Sequence, residues 1–470
     1  MNVWLTIIGG TYLIALVFFA IRARGQNTDV SNYLFAGSNI GAFIGCLTIG
    51  ATLFSTFTLM GMPDFVRNHG VGAWFFLGVS DTAMAIVMLW FAFHLRNKAS
   101  QLGFQGMSRL LRQRYGYEFV GWVYFVAILM FLVPYVAIQI RGVSIFLAAL
   151  YPDFIPVWGW CLCVMLTLLA YSELGGLRAI IYSDALQGIL LLSVTWIVAF
   201  LCLSRAGGIK EMFSRLSEET SSLLTIPGPE GLITPQFLIA SFVIICLLPV
   251  TQPQLATRLV IIKDFSAVRL MVVAVAVFSI LVILPTLGIG FYGALYYQEA
   301  SPADFLAGVL VGEQTAYIGA TVIVGLLAAA MSTADSQLFA LGTELRSILP
   351  GTSEQSLTVT RLVIFAFGLT TLVFALVSSD QLVQLARVSF AGTALLAPMI
   401  LAAVLLTQRL SFWIPGATVI ALLIFLASLA GIVPDTFSGL RIDLLLLCVL
   451  AVTTVTSLVI SRQSLLPVPD

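Results

Sequence analysis

Charge is scarce in this chain. Asp, Glu, Lys and Arg together make up 9% of its 470 residues, against roughly a quarter in soluble domains, which excludes a water-soluble globule with a charged shell. No polar stretch is long enough to fold as a domain of its own; the longest runs over residues 205–233. Histidine is scarcer still, with His69 and His94 the only two. Without a Ser/His or His/Cys constellation, neither triad hydrolysis nor zinc chemistry has the side chains it needs. The six cysteines, Cys46, Cys161, Cys163, Cys202, Cys246 and Cys448, fall in apolar runs. They have neither metal-ligand spacing nor loop positions for a disulfide framework, and read as packing residues. A formal net charge of zero gives no electrostatic steering toward nucleic acid. The chain reads as neither an enzyme nor a nucleic-acid binder.

What is abundant is apolar length. The chain is 60% hydrophobic with a mean hydropathy of +1.05, and runs long enough to cross a hydrocarbon core of about 30 Å recur from end to end. Thirteen spans are predicted, at 3–21, 41–62, 73–95, 118–149, 156–174, 181–203, 235–256, 268–297, 316–346, 358–378, 384–406, 411–432 and 442–461. The fold class is therefore an all-α polytopic membrane protein seated in the lipid bilayer. The first run is followed by Arg22 and Arg24 rather than a small-residue cleavage site, and reads as a span, not a signal peptide.

Alternating the loops between two faces puts Arg22, Arg24, Arg96, Lys98, Arg109, Arg112, Arg114, Arg178, Arg258, Lys263, Arg269, Arg346, Arg361, Arg409 and Arg462 on one side. Arg67, Arg205, Lys210, Arg215 and Arg441 fall on the other. The positive-inside rule makes the crowded face cytoplasmic, with the N-terminus outside and the C-terminus inside a plasma (inner) membrane.

Against this background LLAAAMSTADSQ, residues 326–337, stands out, because an apolar helix gains two serines, a threonine and an aspartate. Asp335 lies eleven residues before Arg346, roughly 16 Å from the cytoplasmic end of its span at 1.5 Å per residue. Asp184, six residues after Arg178, sits roughly 9 Å in by the same rise. GATLFSTF, residues 50–57, interrupts the second span with Gly, Ser and Thr about ten residues from that face. Three polar features thus share a depth band. On a helix Ser332, Asp335 and Ser336 point one way, with Ala329, Thr333 and Gln337 beside them, as a stripe of oxygen ligands. A carboxylate in a spanning helix costs at least about 2.5 kcal/mol and is kept with a partner or a water-filled path. Sodium suits such a set, and an interrupted helix frees carbonyls to complete it. Close packing of small residues accounts equally well for any one hydroxyl. Asp81 and Arg141 also fall at membrane depth; Asp81 can be read simply as paired with a neighbouring helix.

These residues resemble the sodium:solute symporters, whose fold is named after the bacterial leucine transporter. The likeness runs from Tyr33 to about Leu406. It is carried by NYLFAGSNIG (32–41), where Ser38 holds the usual arginine position, ELGGLRAIIYSDALQGILL (173–191), QPQLATRLVIIKD (252–264) and AAAMSTADSQL (328–338). The resemblance implies a 5+5 inverted repeat with one helix before and two after. The implied division is 1–40, N-terminal helix and first loop; 41–203, first five-helix repeat; 204–234, extracellular loop; 235–406, second repeat; and 407–470, two helices and tail. It implies a principal sodium site on Ala51, Phe54, Ala329, Ser332 and Thr333, and a second site for sodium or a proton on Asp184, Ser332, Asp335 and Ser336. One position of that second site is an acid here instead of a hydroxyl, and two close carboxylates cannot both stay ionised without a cation.

By position, solute is expected at Ser55, Thr56, Phe57, Tyr135, Gln139 and Gln252, near the midplane. Arg141 is added because an arginine pairs a carboxylate bidentately, which favours an amino acid or carboxylate as solute. The expected function is sodium-coupled import of a small solute by alternating access, with the chain read as a monomer. The alternatives are a proton-coupled carrier and the transporter-like component of a sensor.

Overall fold

A bilayer core offers no water to backbone N–H and C=O groups, so long apolar runs must close their own hydrogen bonds as helices. The computed structural model describes residues 1–24, 30–349, 353–378, 382–408 and 410–463, almost all of them helical. The principal helices are α1 (Asn2–Arg24), α2 (Ala42–Leu53), α3 (Phe57–His69), α4 (Trp74–Leu102), α5 (Glu118–Leu150), α6 (Val157–Leu169), α7 (Gly176–Arg205) and α8 (Pro235–Thr251). They continue with α9 (Pro253–Ile261), α10 (Phe265–Tyr296), α11 (Ala316–Ile348), α12 (Leu362–Val377), α13 (Leu385–Ala394), α14 (Ala397–Leu405), α15 (Trp413–Leu429) and α16 (Ile442–Gln463). A hairpin pairs Thr436–Phe437 with Leu440–Arg441.

Among the described residues seven helices are long and apolar enough to cross a membrane, or ten if each of three bent pairs is one span. This is fewer than the thirteen predicted; α6, α12 and α15 coincide with predicted spans but are shorter apolar helices.

The bends follow from local sequence. The α2/α3 pair turns by 58° within GATLFSTF. Phe54 takes an extended φ of −98° and ψ of 118° while its N–H still donates to the Gly50 carbonyl. A Cβ on Gly50 would lie 2.8 Å from the Phe278 ring, so only glycine lets α2 close on α10. The α8/α9 pair turns by 55° at Gln252, which precedes Pro253. Proline disfavours helical geometry in the residue before it, and Gln252 is extended at φ −87°, ψ 115°. A third bend of 40°, between α13 and α14, lies inside a span read from sequence as continuous. The α6/α7 joint is Gly176, whose φ of 66° and close approach to Tyr33 both require glycine.

α11 is the axis of the bundle. It packs against α1, α2, α5, α7, α9 and α12, and its side chains are buried almost continuously from Gly319 to Ile348. Several basic residues of the arginine-rich face cap helix C-termini. Arg96 donates to the carbonyls of Leu259, Val260 and Ile262 at the end of α9. Arg114 donates to Ala403 in the last turn of α14 and to Leu406 and Gln408 beyond it, joined at Leu406 by Lys98. Carbonyls left unpaired at a helix end, and the negative end of its dipole, attract such cations. Arg409 lies outside the described residues. Arg258, assigned from sequence to the same loop face, is instead in the last turn of α9 and 1% exposed. Cys163 and Cys448 are exposed, whereas the other four cysteines are buried.

Candidate functional site

The helix break brings α2 and α11 into polar contact. Ser332 Oγ donates to the carbonyl oxygens of Ala51 (2.8 Å) and Ala329 (2.9 Å). Thr333 Oγ1 is shared between the carbonyls of Ala51 (3.4 Å) and Thr52 (3.2 Å). Four residues of the expected principal sodium set therefore form one cluster of neutral oxygens, all buried. Phe54, the fifth, stands at the break itself. Carbonyl and hydroxyl oxygens this close together are the donor set a small hard cation requires, because each hydroxyl can turn a lone pair inward.

One turn along the same two helices the chemistry changes. Asp184 on α7 accepts at Oδ2 from Thr48 Oγ1 (2.6 Å) and from Arg258 Nη2 (2.8 Å). The same Nη2 donates to Ser336 Oγ (2.6 Å), Nε donates to Thr48 Oγ1 (2.8 Å), and Nη1 to the Gln254 carbonyl (3.1 Å). Asp184 and Arg258 are 0% and 1% exposed at the side chain, a fully buried ion pair. Thr52 Oγ1 and Ser336 Oγ lie 3.2 Å apart and link the two clusters. Asp335, also buried, follows Thr333 by two positions on α11 and is within electrostatic reach of Asp184. On the far side Tyr12 of α1 donates to Met331 Sδ and accepts from Gln187 Nε2 (2.8 Å). Arg258, Thr48 and Thr52 were missed from sequence. A usable signal existed for Arg258: Pro253 starts a new half-helix at the midplane, so a residue five positions on is still only about 7.5 Å from the break.

The residues expected to meet solute border the same break. Thr56 N–H donates to Gln139 Oε1 (3.3 Å), Gln139 Nε2 to the Tyr135 carbonyl (3.2 Å), Tyr135 Oη to the Leu53 carbonyl (3.4 Å) and Phe57 N–H to Ser55 Oγ (3.2 Å). Gln252 Nε2 donates to Thr393 Oγ1 (3.3 Å) and accepts at Oε1 from Gln254 (2.9 Å). Phe57, Tyr135 and Gln252 line a small cavity of about 30 Å³ together with Asp81, Gln254 and Phe390. Asp81, 6% exposed, thus faces this cavity. Arg141 lines neither this nor a second, larger cavity; its Nη1 approaches the Ala375 carbonyl of α12 at 3.5 Å. That larger cavity, of about 890 Å³, lies beyond Met60 and Gly61 and is bordered by His69, Glu230 and Ser301. Arg387, which the sequence left without a role, lines it and stacks 4.7 Å from the Phe237 ring.

Residues 33–415 match the sodium:solute symporter family. The chain is 24% identical over 335 residues to the sodium/pantothenate symporter of Haemophilus influenzae, covering 70% of this chain and 68% of that one. It is 25% identical over 431 residues to the uncharacterized symporter YodF of Bacillus subtilis, covering 88% and 84%. Among solved structures, a Na+-coupled sialic acid symporter in a substrate-bound outward-open state has a TM-score of 0.80 at 17% identity, over 99% of this chain and 98% of that one. At that identity the likeness is one of fold.

Proposed function

The chain belongs to the sodium:solute symporter family, a family of transporters and not of enzymes, and from that premise we propose that it couples inward sodium flow to import of a small amino acid or related carboxylate. The observation that carries this reading is the neutral oxygen cluster of Ala51, Ala329, Ser332 and Thr333, set where a broken helix frees carbonyls beside α11. Sodium is the coupling ion taken up there, with the Phe54 carbonyl at the break as a further ligand.

The access geometry supports an outward-facing state. The large cavity opens on the side of His69, Glu230 and Ser301, away from the arginine-rich face, and the Arg258 network closes the other side. By the positive-inside rule the arginine-rich face is cytoplasmic, which places the N-terminus outside and makes the direction import across the plasma membrane. Counting α6, α12 and α15 as spans gives thirteen. The bends of 58° and 55° fall in the first span of each five-helix set, 41–203 and 235–406, as inverted repeats require.

The solute site is the small cavity, enlarged as the half-helices move. The positive dipole end of α3, which starts at the break, suits a carboxylate. Asp81 on the cavity wall suits an ammonium group, so an amino acid satisfies both ends. Arg141 has no part in this reading. The test is uptake by protein reconstituted in proteoliposomes, with the solute chosen from a thermal-shift screen of amino acids and carboxylates with and without sodium. Uptake should collapse when choline replaces sodium; uptake indifferent to sodium that follows a pH gradient overturns the reading.

A further inference from the structure

Asp184, Ser332, Asp335 and Ser336 were assigned from sequence to a second cation; of their buried oxygens Asp184 Oδ1 and Asp335 Oδ1 have no hydrogen-bond partner, fewer than a sodium site requires, and the others are engaged. Asp184 Oδ2 already accepts two hydrogen bonds, Ser336 Oγ accepts Arg258 Nη2, and Ser332 Oγ is committed to the carbonyls of the first cluster. The position a metal cation would share between Asp184, Thr48 and Ser336 is taken by a guanidinium that touches all three at 2.6–2.8 Å.

We propose that Arg258 is a tethered cation that stands in for a second sodium, so that the transporter binds a single sodium ion, at the cluster of Ser332 and Thr333. The inference rests on the sodium-symport reading above and sets its stoichiometry. A guanidinium carries a permanent charge and five directed donors, so it satisfies carboxylate and hydroxyl oxygens together. Held on α9 beside them, it acts at an effective concentration that bathing sodium does not match. It also explains why a carboxylate that is 0% exposed can sit among side chains of three other helices, with Thr48 bound directly and Ser336 joined through Arg258.

The experiment is equilibrium binding of radioactive sodium to the purified full-length protein in detergent, at constant ionic strength with choline, and requires no solute. The wild type should bind one ion per chain, and Ser332→Ala should bind it about tenfold more weakly. Arg258→Gln exposes the carboxylate cluster and should raise the count to two, whereas Arg258→Lys, which keeps the charge, should stay at one. Should Arg258→Gln not yield folded protein, Asp184→Asn decides: the count stays at one if Asp184 holds Arg258 and falls if it holds sodium. Two ions in the wild type, a count unchanged in folded Arg258→Gln, or a count that falls in Asp184→Asn overturns the inference and leaves sodium coupling standing. A wild type that binds no sodium overturns the symport reading, and the inference with it.

Discussion

The two clusters on α2 and α11 are one helical turn apart and are built on opposite electrostatic plans. The first, at Ala51, Thr52, Ser332 and Thr333, contains only neutral oxygens, satisfied by one another. The second contains a carboxylate and a guanidinium 2.8 Å apart. Neutral oxygens can lose or gain a cation at modest cost, because each hydroxyl simply turns from carbonyl to ion. Buried carboxylates cannot, since an unpaired charge in a low dielectric is expensive. A site that must fill and empty each cycle is therefore better made of the first kind, and a joint that holds helices together of the second.

The comparison breaks most visibly at Arg258. Arg258→Gln or Asp184→Asn leaves a buried charge without its partner and should destabilise the protein by about 3–5 kcal/mol, read as a fall in unfolding temperature in detergent. Asp184→Asn with Arg258→Gln should recover part of that loss, and a double-mutant cycle gives the coupling. A cycle that sums to zero removes the contrast between the clusters. Ser332→Ala should do the reverse. It removes one neutral ligand, so the sodium midpoint of uptake should rise about tenfold, equivalent to ~1.4 kcal/mol, while stability changes by less than about 1 kcal/mol. Equal sodium midpoints in wild type and variant would take the ion away from this cluster.

The contrast also explains which parts of the site were legible in the sequence. GATLFSTF announced its break because Gly, Ser and Thr interrupt an apolar run. Asp184 and Asp335 announced themselves as charges at membrane depth, and α2, α7 and α11 do meet where depth alone had grouped them. Arg258 hid because it lies near the end of an apolar run, where an arginine looks like a loop residue. Its membership of the core depends on α9 being a separate half-helix that continues to Ile261. Arg141 was the converse error of direction: depth was readable, but helical phase sends it to α12 and away from both cavities. The α13/α14 bend was not readable because the apolar pattern continues through Leu395 and Leu396, and only packing distinguishes a bent span from a straight one.

Charge in the solute cavity sharpens the comparison further. Asp81→Asn should weaken uptake of an amino-bearing solute by about tenfold in KM, roughly the value of one charge-assisted hydrogen bond. It should leave the sodium midpoint unmoved, because Asp81 belongs to neither cluster. Arg141→Gln should change KM by less than about threefold, under ~0.7 kcal/mol. If Arg141→Gln proves the more damaging of the two, the solute is held by its carboxylate on α5 and the cavity around Asp81 is not its seat.

The smallest effect belongs to Thr52, which touches both clusters. Its carbonyl accepts from Thr333, and its hydroxyl lies 3.2 Å from Ser336 Oγ, itself bound by Arg258. Thr52→Val keeps shape and carbonyl and deletes only the hydroxyl, so the cost should be about 0.5–1.5 kcal/mol, that of one ordinary hydrogen bond. The sodium midpoint separates two behaviours. If the clusters are independent, Thr52→Val shifts stability alone. If the hydroxyl transmits the state of the tethered guanidinium to the sodium ligands, the midpoint moves as well, by about twofold to threefold. The structure favours the second outcome, because Ser336 is hydrogen-bonded to Arg258 on one side and reaches Thr52 on the other. A Thr52→Val midpoint equal to wild type would leave the two clusters as neighbours without communication.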